Sequence, residues 1–201
     1  MSDPERQSGL PDRDTALALL NEHTKKPGLI KHALAVEAAV RAYARRHGED
    51  EHAWALVGLL HDFDYERWPT PEEHPYKGSE ILEQMGYPEW FRKAILSHAD
   101  YTNVPRETLL EKTLFACDEL CGFLTACALV TQNKSLHEVK IKSVRKKMKS
   151  KAFAASVNRD DITNGAAALG VDLDEHIAFV LEAMRGIAGE LELGAGPSEA
   201  E

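Results

Sequence analysis

Apolar residues recur three or four positions apart along nearly the whole chain, the spacing of a helix with one buried face. The spacing predicts a first helix over 15–23, broken by Pro27 and Gly28. A second is expected over 29–47, burying Leu29, Ala33, Val36, Val40 and Tyr43 and stopped by Gly48. A third, over 51–62, carries Trp54, Val57, Leu59 and Leu60 and should be buried on most sides. After a link containing Trp68, Pro69, Thr70 and Pro71, helices follow over 75–85, 88–98 and 107–130. Thr70 with Glu73, and Ser135 with Glu138, have the spacing of capping boxes. The second box should open a helix running to 151, followed by helices over 160–169 and 172–191. No segment alternates with period two, so the fold class is all-α.

Composition narrows the picture. A chain of 201 residues suits one domain with a sizeable core. Residues 1–12 and 194–201 are polar and rich in Gly and Pro, and read as loose ends around a single domain over 13–193. No apolar run reaches the ~20 residues that span a bilayer, and the N-terminus has no signal-peptide core. Cys117, Cys121 and Cys127 crowd one expected helix and read as free core cysteines. Together these features point to a cytoplasmic protein without a membrane partner. A net charge of -9 argues against general binding to nucleic acid.

The charge is unevenly spread. Between Lys134 and Lys151 eight basic side chains face one acid, Glu138, a local +7 that leaves -16 for the rest. Three readings stay open: a solvated face over inward Val139, Ile141, Val144 and Met148; lysines such as Lys140 and Lys147 that hold an anionic substrate; or a nucleic-acid surface.

Candidate chemistry centres on His61-Asp62, two adjacent metal-capable side chains at the end of an apolar helix, with Asp64 just beyond. Imidazole and carboxylate at the edge of a core are costly unless paired or ligating. His32, His74, His98 and Asp118 are also apolar-flanked or helix-terminal. Nitrogen and oxygen donors of this kind suit Mn, Fe, Co, Ni or Zn, and Mg less well. His23, His47, His52, His137 and His176 lie outside this pattern and are expected at the surface or at caps. Tyr65, Trp68, Tyr76 and Tyr101 either wall a pocket or simply pack.

The order His, His-Asp, His, His, Asp on successive helices resembles the HD-domain superfamily of metal-dependent phosphohydrolases. The matching pieces are Ile30-Lys31-His32-Ala33, Leu60-His61-Asp62, His74-Pro75-Tyr76-Lys77-Gly78, Leu96-Ser97-His98 and Ala116-Cys117-Asp118. The resemblance implies an HD-like helical bundle with a C-terminal helical extension from about 132. It also implies one or two divalent transition metals. His32, His61, Asp62 and Asp118 would form the four-ligand core, and His74 and His98 a second site bridged by Asp62. Asp62, Asp64 and Lys77 would be the catalytic group, Asp64 as an acid or base and Lys77 as a phosphate contact. The substrate implied is a small phosphate ester such as a nucleotide. Two alternatives use the same residues: a mixed-valent diiron oxygenase on this ligand set, and a non-catalytic module binding through the basic helix.

Overall fold

A computed structural model describes residues 9–194; of the loose ends expected over 1–12 and 194–201, residues 1–8 and 195–201 lie outside them. Among the described residues the regular structure is helical throughout, with no strand. Among the described residues no helix is long and apolar enough to cross a membrane. The chain divides into two compact units, the break falling after Phe115.

In the first unit α1 spans Arg13–His23, capped by the Asp12 carboxylate on the Thr15 amide. α2 spans Pro27–His47. Pro27 therefore opens this helix instead of breaking it: at the first position it loses no hydrogen bond, and its ring presets the helical φ. The break falls earlier, at 24–26, where Glu66 accepts from the Lys25 and Lys26 amides. Gly48, at φ 70°, closes α2 by returning its amide to the last turn. α3 spans Glu51–Leu60, capped by Asp50, and Ala53 through Leu60 are all buried. α4 spans Tyr76–Gln84 and α5 spans Glu89–Leu96, packed against each other.

α3 packs against α1, α2 and α5. Its approach to α2 is set by Gly58: a Cβ there would lie 3.0 Å from the Glu37 Cα and the Val36 carbonyl. Beside this crossing Glu37 is buried on α2, clamped by Arg13 at 2.6 and 2.9 Å and by Arg41 at 2.6 Å. Two guanidinium groups offset the cost of burying that carboxylate.

α6 spans Leu109–Leu129 and contains the unit boundary. Its start is a capping box: Glu111 accepts from the Glu107 and Thr108 amides at 2.7 Å, and Thr108 accepts from the Glu111 amide.

In the second unit α7 spans Ile141–Met148, α8 Arg159–Leu169 and α9 Leu173–Arg185. α7 starts six residues later than the sequence suggests. Ser135 caps only a 3-10 turn, Leu136–Glu138, because the Glu138 carboxylate turns to the Asn133 amide and side chain, while the Ser135 amide donates to Thr131. The reciprocal half of the capping box is thus missing. α9 packs on α7 and α8, and Gly165 on α8 lets the chain reach Ala116.

His176 corrects an expectation: it is buried, not a surface residue, and its Nε2–H donates to the Ala116 carbonyl at 2.9 Å. Burial lowers its pKa more than the carbonyl raises it. The native state therefore holds His176 neutral, and stability from this residue is full above the unfolded value of ~6.5 and lost as pH falls below it. His176→Gln is expected to flatten the fall in stability between pH 6.5 and 5, by up to ~1.4 kcal/mol per pH unit. Denaturant midpoints measured across that range check it; parallel curves would show that His176 does not titrate with unfolding.

Candidate metal centre

Gly58 leaves α2 and α3 close enough that His32, one turn before Val36, and His61, one turn after Gly58, approach each other with ring centroids 5.2 Å apart. α3 ends at Leu60, and His61 keeps helical dihedrals as its C-cap. The chain then folds back through a tight turn, in which Tyr65 donates to the Asp62 carbonyl and Arg67 and Trp68 donate to that of Asp64. This turn aims Asp62 at the histidines and buries Asp64 behind them.

Asp62 is the hub. Its Oδ2 lies 3.5 Å from His61 Nε2 and 3.9 Å from His32 Nε2. Its Oδ1 lies 3.2 Å from His74 Nε2 and 3.3 Å from His98 Nε2. Two donor triplets result, His32–His61–Asp62 and Asp62–His74–His98, each with its ligand atoms within 4.8 Å of one another.

The imidazoles are held from behind. His61 Nδ1–H donates to the Gly58 carbonyl at 2.8 Å, and His98 Nδ1–H to the Ile95 carbonyl at 2.5 Å. His74 Nδ1–H donates to Asp64 Oδ1 at 2.8 Å, and the second oxygen of Asp64 accepts from the Gly78 amide at 2.7 Å. Fixing Nδ1 in this way turns each Nε2 toward Asp62, the arrangement that orients metal-ligating histidines. Gly78 is required for it: a Cβ would sit 2.8 Å from Asp64 Cγ and 3.0 Å from Phe63 Cε1.

Charge follows this geometry. Burial would raise the Asp62 pKa, but His61, His74 and His98 hold it well below the usual carboxylate range. Burial disfavours a charged His74, yet hydrogen bonds to Asp62 and Asp64 outweigh that and raise it to about 9. The pocket is thus organised for positive charge. Four imidazoles and a shared carboxylate fit a divalent transition metal better than Mg, which takes oxygen ligands. His61, His74 and His98 are buried, whereas His32 and Asp62 are 21% and 20% exposed, so the centre meets solvent on their side.

The other sequence candidates are not among the two donor triplets. Lys77, on α4, pairs with Glu80 at 2.8 Å. Asp118 is half-buried on α6 in the second unit, next to buried Cys117. The same unit holds Lys140, exposed at the start of α7, and Lys147, which donates to Ser143 at 2.8 Å and lies over the Phe153 ring. All three cysteines are free and buried, and burial pushes their thiols up, that of Cys127 to about 11.

Sequence reading did not single out Gly58 and Gly78. Both sit in otherwise good helical stretches, where a glycine costs ~1 kcal/mol relative to alanine and so signals a close approach.

Neither a curated protein nor a solved structure matches the chain. The family model of the HD domain matches residues 29–122, just under half of the sequence, and that segment contains every residue of both donor triplets. Over residues 29–122 the chain is thus similar to the HD domain, a family made up largely of metal-dependent hydrolases.

Proposed function

We propose that the chain is a metal-dependent phosphohydrolase that acts on a small phosphate ester. The observation that carries this reading is the single carboxylate, Asp62, shared between two donor triplets. His32 and His61 would hold a cation on the Oδ2 side of Asp62, and His74 and His98 one on the Oδ1 side. A divalent cation supplies positive charge for phosphoryl oxygens and acidifies water at the site.

The residues of the chain do the rest. The Gly58 and Ile95 carbonyls fix the tautomers of His61 and His98. Asp64 does the same for His74, and with both oxygens engaged in the interior it acts as a positioning residue. The exposed edge at His32 and Asp62 admits the ester, while the buried histidines keep bulk water from the far side. The family resemblance adds Asp118 to the ligands and Lys77 to the phosphate contacts.

The test is metal analysis of unsupplemented protein, followed by a phosphomonoesterase and phosphodiesterase screen with oxygen uptake recorded. Bound transition metal with ester hydrolysis is expected. Two irons with oxygen uptake and no hydrolysis would establish the oxygenase alternative. Bound metal with neither activity would leave a binding module. Asp118→Ala, assayed for metal content, tests its assignment as a ligand.

In one of the three readings of the basic stretch, Lys140 and Lys147 hold the phosphate. If they serve so, the paired substitution to Gln raises KM about tenfold per 1.4 kcal/mol of binding lost, with a smaller change in kcat. An unchanged KM at fixed salt assigns them to the solvated face.

A further inference from the structure

Of the five donors in the two triplets, His32 alone rides on α2. His61 and Asp62 stand at the end of α3 and in the turn behind it, and His74 is tied to that turn through Asp64. If the turn shifts, His74 follows Asp62 and His32 does not. The gap between His32 Nε2 and Asp62 Oδ2 is 3.9 Å, the widest of the four between Asp62 and the histidines. Its width depends on how α2 is held to the turn 61–68. Gly58 sets how closely α2 and α3 cross, but a single crossing point leaves two helices free to pivot about it.

A second attachment lies where α1 gives way to α2. Thr24 closes α1, its amide donating to the Leu20 carbonyl at 2.8 Å. Thr24 is buried, and its hydroxyl donates to the carbonyl of Phe63, the residue after Asp62, at 2.9 Å. Lys25 and Lys26 then donate their amides to one oxygen of Glu66, at 2.7 and 2.9 Å. α2 supplies no such group itself: its N-cap is Lys26, without a side-chain cap, and its first turn carries no acid. The Glu66 carboxylate therefore stands at the positive end of the α2 dipole, where a negative charge is favoured. Rings press the turn against the same junction. His23, the last residue of α1, meets Phe63 edge-on with centroids 5.3 Å apart and lies 6.0 Å from the Trp68 ring. Residues 23–26 thus grip the turn at Phe63, Glu66 and Trp68.

We propose that Thr24 and Glu66 are positioning residues of the metal centre: they clasp the start of α2 to the ligand turn and so set the reach of His32 toward Asp62. The proposal rests on the reading of Asp62 as a carboxylate shared by two cations. It assigns the clasp to one side of the centre, that of His32 and His61. The other side is independent of it, because neither His74 nor His98 lies on α2 and His74 follows the turn.

The test is calorimetric titration of metal-stripped protein with manganese(II), with Tm recorded beside it. Wild type is expected to take up about two ions. Glu66→Ala and Thr24→Val should each weaken one of them by roughly tenfold, the scale of losing a group that orients a ligand, and leave the other within about threefold. Glu66→Gln and Thr24→Ser should restore the affinity: an amide oxygen still accepts from Lys25 and Lys26, and a serine hydroxyl still reaches Phe63. A merely structural role would lower Tm without telling the two ions apart. Coupling assigns the side. In a His32→Ala background Glu66→Ala should cost no further affinity, whereas in a His98→Ala background it should keep its full effect. Equal loss at both ions, loss at neither, no rescue by Gln or Ser, or a further loss in the His32→Ala background overturns the clasp and leaves the two-cation reading standing. If wild type takes up one ion or none, that reading falls, and crystal structures of wild type and of Glu66→Ala or Thr24→Val decide. A His32–Asp62 gap altered by roughly half an ångström or more supports the clasp, and an unchanged gap overturns it.

Discussion

Asp62→Ala is expected to abolish turnover and to strip the protein of most of its divalent metal. Each oxygen of this carboxylate faces a different histidine pair, so one substitution takes a donor from both triplets. It also removes one of the two negative charges that raise His74 to about 9, leaving only Asp64, behind the imidazoles, to balance a cation. Activity should fall by roughly a thousandfold or more, the scale of losing preorganised charge at a reacting centre. The fold should persist, because Asp62 lies beyond the end of α3 and α3 is capped at its other end by Asp50. Metal content by elemental analysis, with circular dichroism as the control for folding, checks both parts. Wild-type metal and near-normal turnover in the variant would refute the assignment of the centre.

Gly78→Ala, the addition of one methyl group outside the donor set, is the second large effect. The new Cβ would lie 2.8 Å from Asp64 Cγ and 2.9 Å from Oδ2, closer than side chains tolerate. Neither neighbour has room to retreat: Asp64 is 1% exposed and Phe63 fully buried. Asp64 must therefore give up the Gly78 amide, and with it the grip on His74. Overpacking of this kind costs ~1–3 kcal/mol. Loss of the orienting carboxylate should weaken metal binding by roughly 10- to 100-fold at the His74–His98 side. Asp64→Asn separates the two causes: it keeps the volume but weakens the partner of His74, so it should lower metal affinity with a smaller fall in Tm. A Gly78→Ala protein with wild-type Tm and metal stoichiometry would show that Asp64 yields freely and is not what holds His74.

The helices were legible because helical signals are local. Helical spacing and a stop such as Gly48, left-handed at φ 70°, are read from a few neighbouring residues. What escaped depends on which groups meet in space. The start of α7 turned on Glu138 preferring Asn133 to its own capping partner, a choice between two equally near neighbours. The grip of Asp64 on His74 and Gly78 joins residues 10 and 14 positions apart across an irregular turn. Glu37 reads as one more surface acid until Arg13 arrives from α1. His176 was open to a better reading. It precedes Ile177 and lies four residues before Val180, on the inward face of α9, and that register marked it as buried.

The missing methyl group at Gly58 has a bearing on how variants of this chain sort themselves. The residue has no side-chain donor and is separated from His61 by Leu59 and Leu60, yet the separation of two ligands is set by how closely its α-carbon approaches Val36 and Glu37. A larger side chain there would pry α2 from α3 by a few tenths of an ångström, too little to melt a core this well filled but enough to spoil a donor set that tolerates about half an ångström. In a saturation library, cells that report abundance would pass small residues at position 58, while cells that report catalysis would reject them. The gap between the two readouts would trace the helix crossing as clearly as it traces the ligands.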